Sequence, residues 1–234
     1  MIEIVTRIFE AIQVRSLERV RRALLNLTSL ESRNRQEQTP VHFAAMLGYE
    51  EIVAEIIRHG TNLETQDEDG ATPLISSAAL GRLEIVSQLL RAGASADGTP
   101  PYPKSTALMY ASRRNSEDCL QLLLNAGANV DAQDESGSTA LMGAVHGNSV
   151  ECARTLIKEG ASIDLRDRLG RTALFRAVES SHGGVCAVLI EAGANPDIQD
   201  NSGTSPRNLA AQSSIEGIRE LFRGRVAGPS TPPG

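Results

Sequence analysis

Tryptophan is absent, and aromatic residues make up only 3 % of the 234-residue chain. A core of this composition cannot rest on large rings; small and aliphatic side chains must fill it. Cysteine is scarce as well, at three. An odd number with no paired spacing argues against a disulfide framework, and no His or Cys pair sits at zinc-ligand spacing. The only lysines are Lys104 and Lys158, so arginine carries most of the basic charge. The net charge of −6 is too mild to specify a partner, and it disfavours nucleic acid, which calls for a basic domain. No apolar run approaches membrane-spanning length. Glu3, Arg7 and Glu10 interrupt any apolar start, so no signal peptide is expected. Neither a phosphate-cradling G-x-x-x-x-G-K nor a G-x-S-x-G nucleophile turn occurs. No enzymatic activity, metal or cofactor is therefore expected. Asn26-Leu27-Thr28 matches the glycosylation pattern, but without secretion it reads as chance.

What the chain does contain is a repeated unit, seen most clearly from Asp67 to Asp97. Asp69-Gly70 is turn chemistry. Thr72-Pro73 opens a helix, with a hydroxyl free to cap and Pro at the first helical position. Ser76, Ser77, Ala78 and Ala79 make that helix thin, and Gly81 breaks it. Leu83, Ile85, Val86, Leu89 and Leu90 place one apolar face on a second helix. Gly93 ends it as a left-handed cap. Neither helix is long enough to stand alone in water, so the unit must bury its apolar face against a neighbour.

Neighbours follow in register. The Thr72 position recurs at Thr39, Thr106, Thr139, Thr172 and Ser205, with spacings of 33, 34, 33, 33 and 33 residues from Thr39 onward. The cap glycine recurs at Gly60, Gly93, Gly127, Gly160 and Gly193, and an Asp at Asp67, Asp134, Asp167 and Asp200. Thr39-Pro40-Val41-His42-Phe43-Ala44 is the fullest version of the helix-opening motif; Thr72-Pro73-Leu74, Thr106-Ala107-Leu108, Thr139-Ala140-Leu141 and Thr172-Ala173-Leu174 are shorter ones. A 33-residue turn-helix-helix period with this T-P-L-H-x-A motif resembles the ankyrin repeat. The resemblance covers residues 5 to 223. It implies an all-α solenoid of stacked helix-turn-helix units joined by β-turn or hairpin loops, with His42 tying neighbouring turns together. Recurrence also explains the turn carboxylates, since a catalytic pair would belong to one place and not to every unit.

Residues 1–38 read as an N-terminal capping repeat, 39–204 as about five ankyrin repeats, 205–223 as a C-terminal capping repeat and 224–234 as a disordered tail. Arg15, Arg19, Arg21 and Arg22 crowd the first unit, as a solvated outer face or as a basic partner-binding helix. The turn Asp97–Lys104, DGTPPYPK, is one residue longer than the others; it is a tolerated insertion or part of a binding face. Ser180-Ser181-His182-Gly183-Gly184 replaces the usual inter-helix glycine, so the helix after it is expected to start late or fray. Cys119, Cys152 and Cys186 fall at core positions of second helices. Their free state suits a reducing compartment, cytoplasm or nucleus.

In the resembled family, variable contact positions lie four, three and one residues before the Thr and seven and eight after it. On this chain they yield a protein-binding set of Met46, Leu47, Glu68, Asp69, Leu80, Tyr102, Arg113, Arg114, Glu135, His146, Arg168 and Arg171. Met46, Leu47, Ala79 and Leu80 make an apolar patch, or else belong to the inter-repeat core. Tyr102, Arg113 and Arg114 make an aromatic and basic cluster at mid-array, of the residue types enriched in hot spots. The expected function is a non-catalytic interaction scaffold, monomeric, whose protein partner presents an acidic or phosphorylated segment to the concave groove. The alternative is a targeting or substrate-recognition segment of a larger enzyme complex such as a ubiquitin ligase.

Overall fold

The computed structural model describes residues 2–25, 29–98 and 104–223. The expectations for Asn26-Leu27-Thr28, for most of the 97–104 turn and for a disordered tail lie outside them. The described residues form fourteen helices and no strand. They come in seven antiparallel pairs: α1 (Ile2–Gln13) with α2 (Leu17–Leu24), α3 (Pro40–Leu47) with α4 (Glu50–Arg58), and α5 (Pro73–Ala79) with α6 (Leu83–Arg91). Then follow α7 (Ala107–Arg113) with α8 (Glu117–Asn125), α9 (Ala140–His146) with α10 (Val150–Lys158), α11 (Ala173–Glu179) with α12 (Gly183–Glu191), and α13 (Pro206–Ala211) with α14 (Glu216–Phe222). First helices stack on first helices and second on second, which makes a two-layer solenoid.

The repeated Thr starts each first helix as the spacing predicts. Its hydroxyl accepts the backbone N–H three residues on, at 3.2–3.3 Å from Thr72, Thr106, Thr139, Thr172 and Ser205. Thr39 is capped differently. Its N–H and hydroxyl both meet His42 Nδ1, at 3.3 and 2.8 Å, and His42 Nε2 meets the Ala71 carbonyl at 3.1 Å in the next turn. The second helices end at Gly60, Gly93, Gly127, Gly160 and Gly193, all left-handed at φ 81–93°. Small residues let the layers approach: Ala44, Ala111, Ala144, Ala177 and all three cysteines are buried. Burial pushes each thiol up, that of Cys186 to about 12.

The late start expected for α12 does not occur. Gly183 opens the helix in register because Ser181 itself takes the left-handed conformation, φ 62°. Asn148 does the same work at φ 49°, so Gly147, at φ −77°, is there for another reason: a Cβ on it would lie 2.4 Å from the Arg113 carbonyl oxygen. The basic first unit is not merely a solvated face. Arg21 donates to Glu55 of α4 at 3.0 Å, and Arg15 lies 5.2 Å over the Tyr49 ring. Burial opposes the charge on Glu55, but Arg21 and Arg58 outweigh it and hold its carboxyl below the usual range.

Two ladders of side-chain bonds tie the turns. Within five of the turns, Asn34, Asp67, Asp134, Asp167 or Asp200 accepts the backbone N–H groups two and four residues on, at 2.8–3.1 Å. Between turns, Glu31, Glu64, Asp97, Asp131 and Asp164 accept the backbone N–H of Asn62, Ser95, Asn129, Ser162 and Asn195. Each of these five loops therefore has a backbone donor satisfied by the preceding unit.

Candidate protein-binding surface

The concave side of the array is lined by the first helices and by the turn tips. Four residues after each capping Thr or Ser, a column of side chains runs along the first helices: Phe43, Ser76, Tyr110, Gly143, Arg176 and Leu209. Gly143 is the gap in that column. A Cβ there would meet the Met109 carbonyl oxygen at 3.0 Å and Ser112 Cβ at 3.4 Å, so α9 lies close on α7 and no side chain rises from it. The result is a hollow of about 620 Å³ over Gly143, within the range of roughly 300–1,000 Å³ in which ligand sites fall.

Tyr110 and Arg176 stand on the helices before and after Gly143, and Met109 and Met142 lie beneath. Both methionines are buried. Arg176 is fixed: its Nε and Nη2 donate to Asp167 Oδ2 at 3.0 and 2.6 Å, and Nη2 also donates to Ser138 Oγ at 2.9 Å. Asp167 is bound at its other oxygen by the Leu169 and Arg171 N–H groups, both at 2.8 Å. The ion pair is therefore part of the turn ladder.

Four of the residues expected to bind meet at this hollow: Arg113 and His146 at the helix ends, Glu135 and Arg168 on the turns. None of the four side chains makes a hydrogen bond or ion pair among the described residues. Burial first, then Arg113, Arg176 and His182, holds the His146 imidazole below its ordinary value. With Arg176 paired to Asp167, the lining sets two guanidiniums, Arg113 and Arg168, against two carboxylates: Glu135, which has no partner, and Asp134, which is held by turn N–H groups and the Ser136 hydroxyl rather than by a cation.

The remaining expectations lie elsewhere. Arg114 is exposed at the C-cap of α7, so of the expected Arg113–Arg114 pair Arg113 alone lines the hollow. Arg171 donates to Glu179 at 3.1 Å and stacks 5.3 Å over the Phe175 ring, outside the hollow. Glu68 and Asp69 are exposed on an earlier turn. The apolar patch separates: Leu47 packs on the core, Met46 is half-buried beside Gln38, and Leu80 is 46 % exposed at the end of α5. Tyr102 lies outside the described residues. Sequence reasoning missed Tyr110, Gly143 and Arg176, although aligning the fourth residue after each Thr shows the gap. Leu169, three residues before its repeat's Thr and so at one of the variable contact positions, is 55 % exposed at a turn tip that lines the hollow.

Among the described residues no group of His, Cys, Asp and Glu could hold a metal ion, and no helix is long and apolar enough to cross a membrane.

A family profile described as ankyrin repeats matches residues 8–100, 92–167 and 108–200. No curated protein matches by sequence. Among solved structures, the ankyrin repeat domain of Bcl-3, titled a unique member of the IkappaB protein family, superposes with a TM-score of 0.82 at 23 % identity. The match covers 93 % of this chain and 98 % of that one. The human ASB11 ankyrin repeat domain also reaches 0.82, at 25 % identity over 94 % of this chain and 99 % of that one. With the profile spanning the capped helix pairs, the turn ladder and the hollow alike, the chain belongs to the ankyrin repeat family.

Proposed function

We propose that the chain is a non-catalytic adaptor that holds a protein partner in its concave groove, and that the partner presents an acidic or phosphorylated segment to the hollow over Gly143. Ankyrin repeat domains generally mediate protein–protein interactions. The observation that carries the finer reading is the set of unpartnered charges at one place. Arg113 and Arg168 line the hollow with no carboxylate of their own, whereas most arginines nearby are paired. A guanidinium fork suits a carboxylate or a phosphate. Reducing thiol chemistry fits a cytoplasmic or nuclear setting.

The test is affinity capture of a partner on the purified chain, followed by titration of that partner against variants. Arg113→Ala combined with Arg168→Ala should weaken binding at least tenfold, about 1.4 kcal/mol, with an unchanged circular dichroism spectrum, since neither side chain has a partner to lose. Arg114→Ala removes the same charge outside the hollow and should change little. Equal loss from Arg114→Ala, or no loss from the double variant, would put the binding face elsewhere.

A further inference from the structure

The hollow has a more specific chemistry than its charge, and the inference below rests on the reading that the concave face binds protein. Its two walls are an aromatic ring, Tyr110, and a guanidinium, Arg176, separated by the missing side chain of Gly143. Asp167 and Ser138 engage the N–H edge of Arg176. An arginine bound along its edge still presents its planar face, and that face stacks on aromatic rings. Beneath, the methionine side chains offer polarizable apolar surface that also favours a ring. An aliphatic side chain would gain burial there but nothing from either wall. A lysine or arginine would meet Arg113 and Arg168 without a free carboxylate other than Glu135.

We infer that the hollow over Gly143 receives one aromatic side chain of a partner's extended segment, with an Asp or Glu of the same segment on Arg113 or Arg168. The two requirements are linked by geometry. Arg113 sits at the helix end and Arg168 on the turn, so they border the hollow from opposite sides, and the acidic residue lies within a few positions of the aromatic one.

The experiment is selection of a random-peptide display library on the full chain. An enriched peptide is then synthesised and titrated by fluorescence anisotropy. Enriched peptides should share an aromatic residue within three positions of Asp or Glu. Replacing that aromatic residue by Ala should weaken binding at least tenfold. Tyr110→Leu, which keeps an apolar wall but removes the ring, should weaken it several-fold, as should Arg113→Ala, and Arg114→Ala should leave it unchanged. Gly143→Met fills the hollow and should abolish binding; because its Cβ crowds the Met109 carbonyl, Tyr110→Leu serves as the independent variant if this one fails to fold. Peptides that respond to Arg113→Ala but lack an aromatic residue, or ignore Tyr110→Leu, overturn the inference while the groove reading stands. Peptides indifferent to every variant of the hollow overturn both. Adenosine 5′-monophosphate also joins an aromatic ring to an anion. Saturable binding of it, lost in Tyr110→Leu, would overturn the peptide in favour of a nucleotide.

Discussion

Replacing Asp167 by Ala should be the most costly single change to a turn of this array. Its side chain is 1 % exposed and is bound at both oxygens, by two backbone N–H groups and by the Arg176 guanidinium. Removing one partner of a buried ion pair costs about 3–5 kcal/mol, because the other charge stays behind. Arg176 is 28 % exposed and keeps its bond to Ser138, which relieves part of that cost. The two orphaned N–H groups add to it, since a hydrogen bond to a charged group contributes about 1.5–3 kcal/mol. A net loss of about 3 kcal/mol is expected. Asp164 is the natural control. It receives one backbone N–H, from Asn195 at 3.0 Å, on a less buried surface, and its loss should cost about 1 kcal/mol. Urea denaturation followed by circular dichroism reads both, with the shift in midpoint taken at a common slope. Hydrogen exchange adds a local reading: the Leu169 and Arg171 amides should lose protection in Asp167→Ala and keep it in Asp164→Ala. A cycle with Arg176→Met should show the double variant costing less than the sum of the singles. The reasoning is refuted if Asp167→Ala falls within 1 kcal/mol of wild type, or if Asp164→Ala costs as much.

Three further outcomes are expected. Burial holds the His42 imidazole below its ordinary 6.5 despite the Ala71 carbonyl and Asp67, so the unfolded chain takes up the proton at a higher pH than the folded one. Stability is then full above about pH 6.5 and falls as the pH drops below it towards the folded value; urea midpoints at pH 7.5 and 5.5 should differ, and by less in His42→Asn. Gly127, at φ 86°, has nothing near its Cβ position, so Gly127→Val should cost about 1–3 kcal/mol from backbone strain alone, and Gly127→Asn clearly less; an unchanged midpoint for the valine variant would contradict the cap. Cys119, Cys152 and Cys186 are buried with raised pKa values, so a disulfide reagent at pH 8 should label none of them until urea opens the array; rapid labelling of the native chain would contradict that packing.

The period was legible because it rests on residues with one conformational job each. A capping Thr, a left-handed Gly and a turn Asp announce themselves locally, and three such anchors at one spacing leave little freedom. The second ladder was not legible in the same way. Its acceptors change from Glu in the first two units to Asp in the next three, and the inserted residue moves Asp97 to nine positions before its Thr where Asp131 is eight before. Arg21 reads as one of several solvated arginines until Glu55, 34 residues away, is seen to be its partner. The helix ends Asn148 and Ser181 were hidden because residues other than glycine took the left-handed turn there. The hollow was hidden for the opposite reason: a site made by a missing side chain has no motif.

Register itself separates scaffold from site in such an array. A polar residue that recurs every period finds its counterpart one unit on, as Asp164 finds Asn195 and Arg166 finds the Gln199 carbonyl. A partner that took those groups would have to break the stacking of the turns. The columns without a fixed residue behave differently. Seven positions after the Thr stand Met46, Ala79, Arg113, His146 and Glu179; four before it stand Arg35, Glu68, Tyr102, Glu135 and Arg168. No single side chain in those columns can serve every unit, so few of them are tied down. Arg113, His146, Glu135 and Arg168 come from these two columns and meet where Gly143 opens the column between them. A partner contact made there would leave both ladders intact, and with them the units that hold the surface in shape.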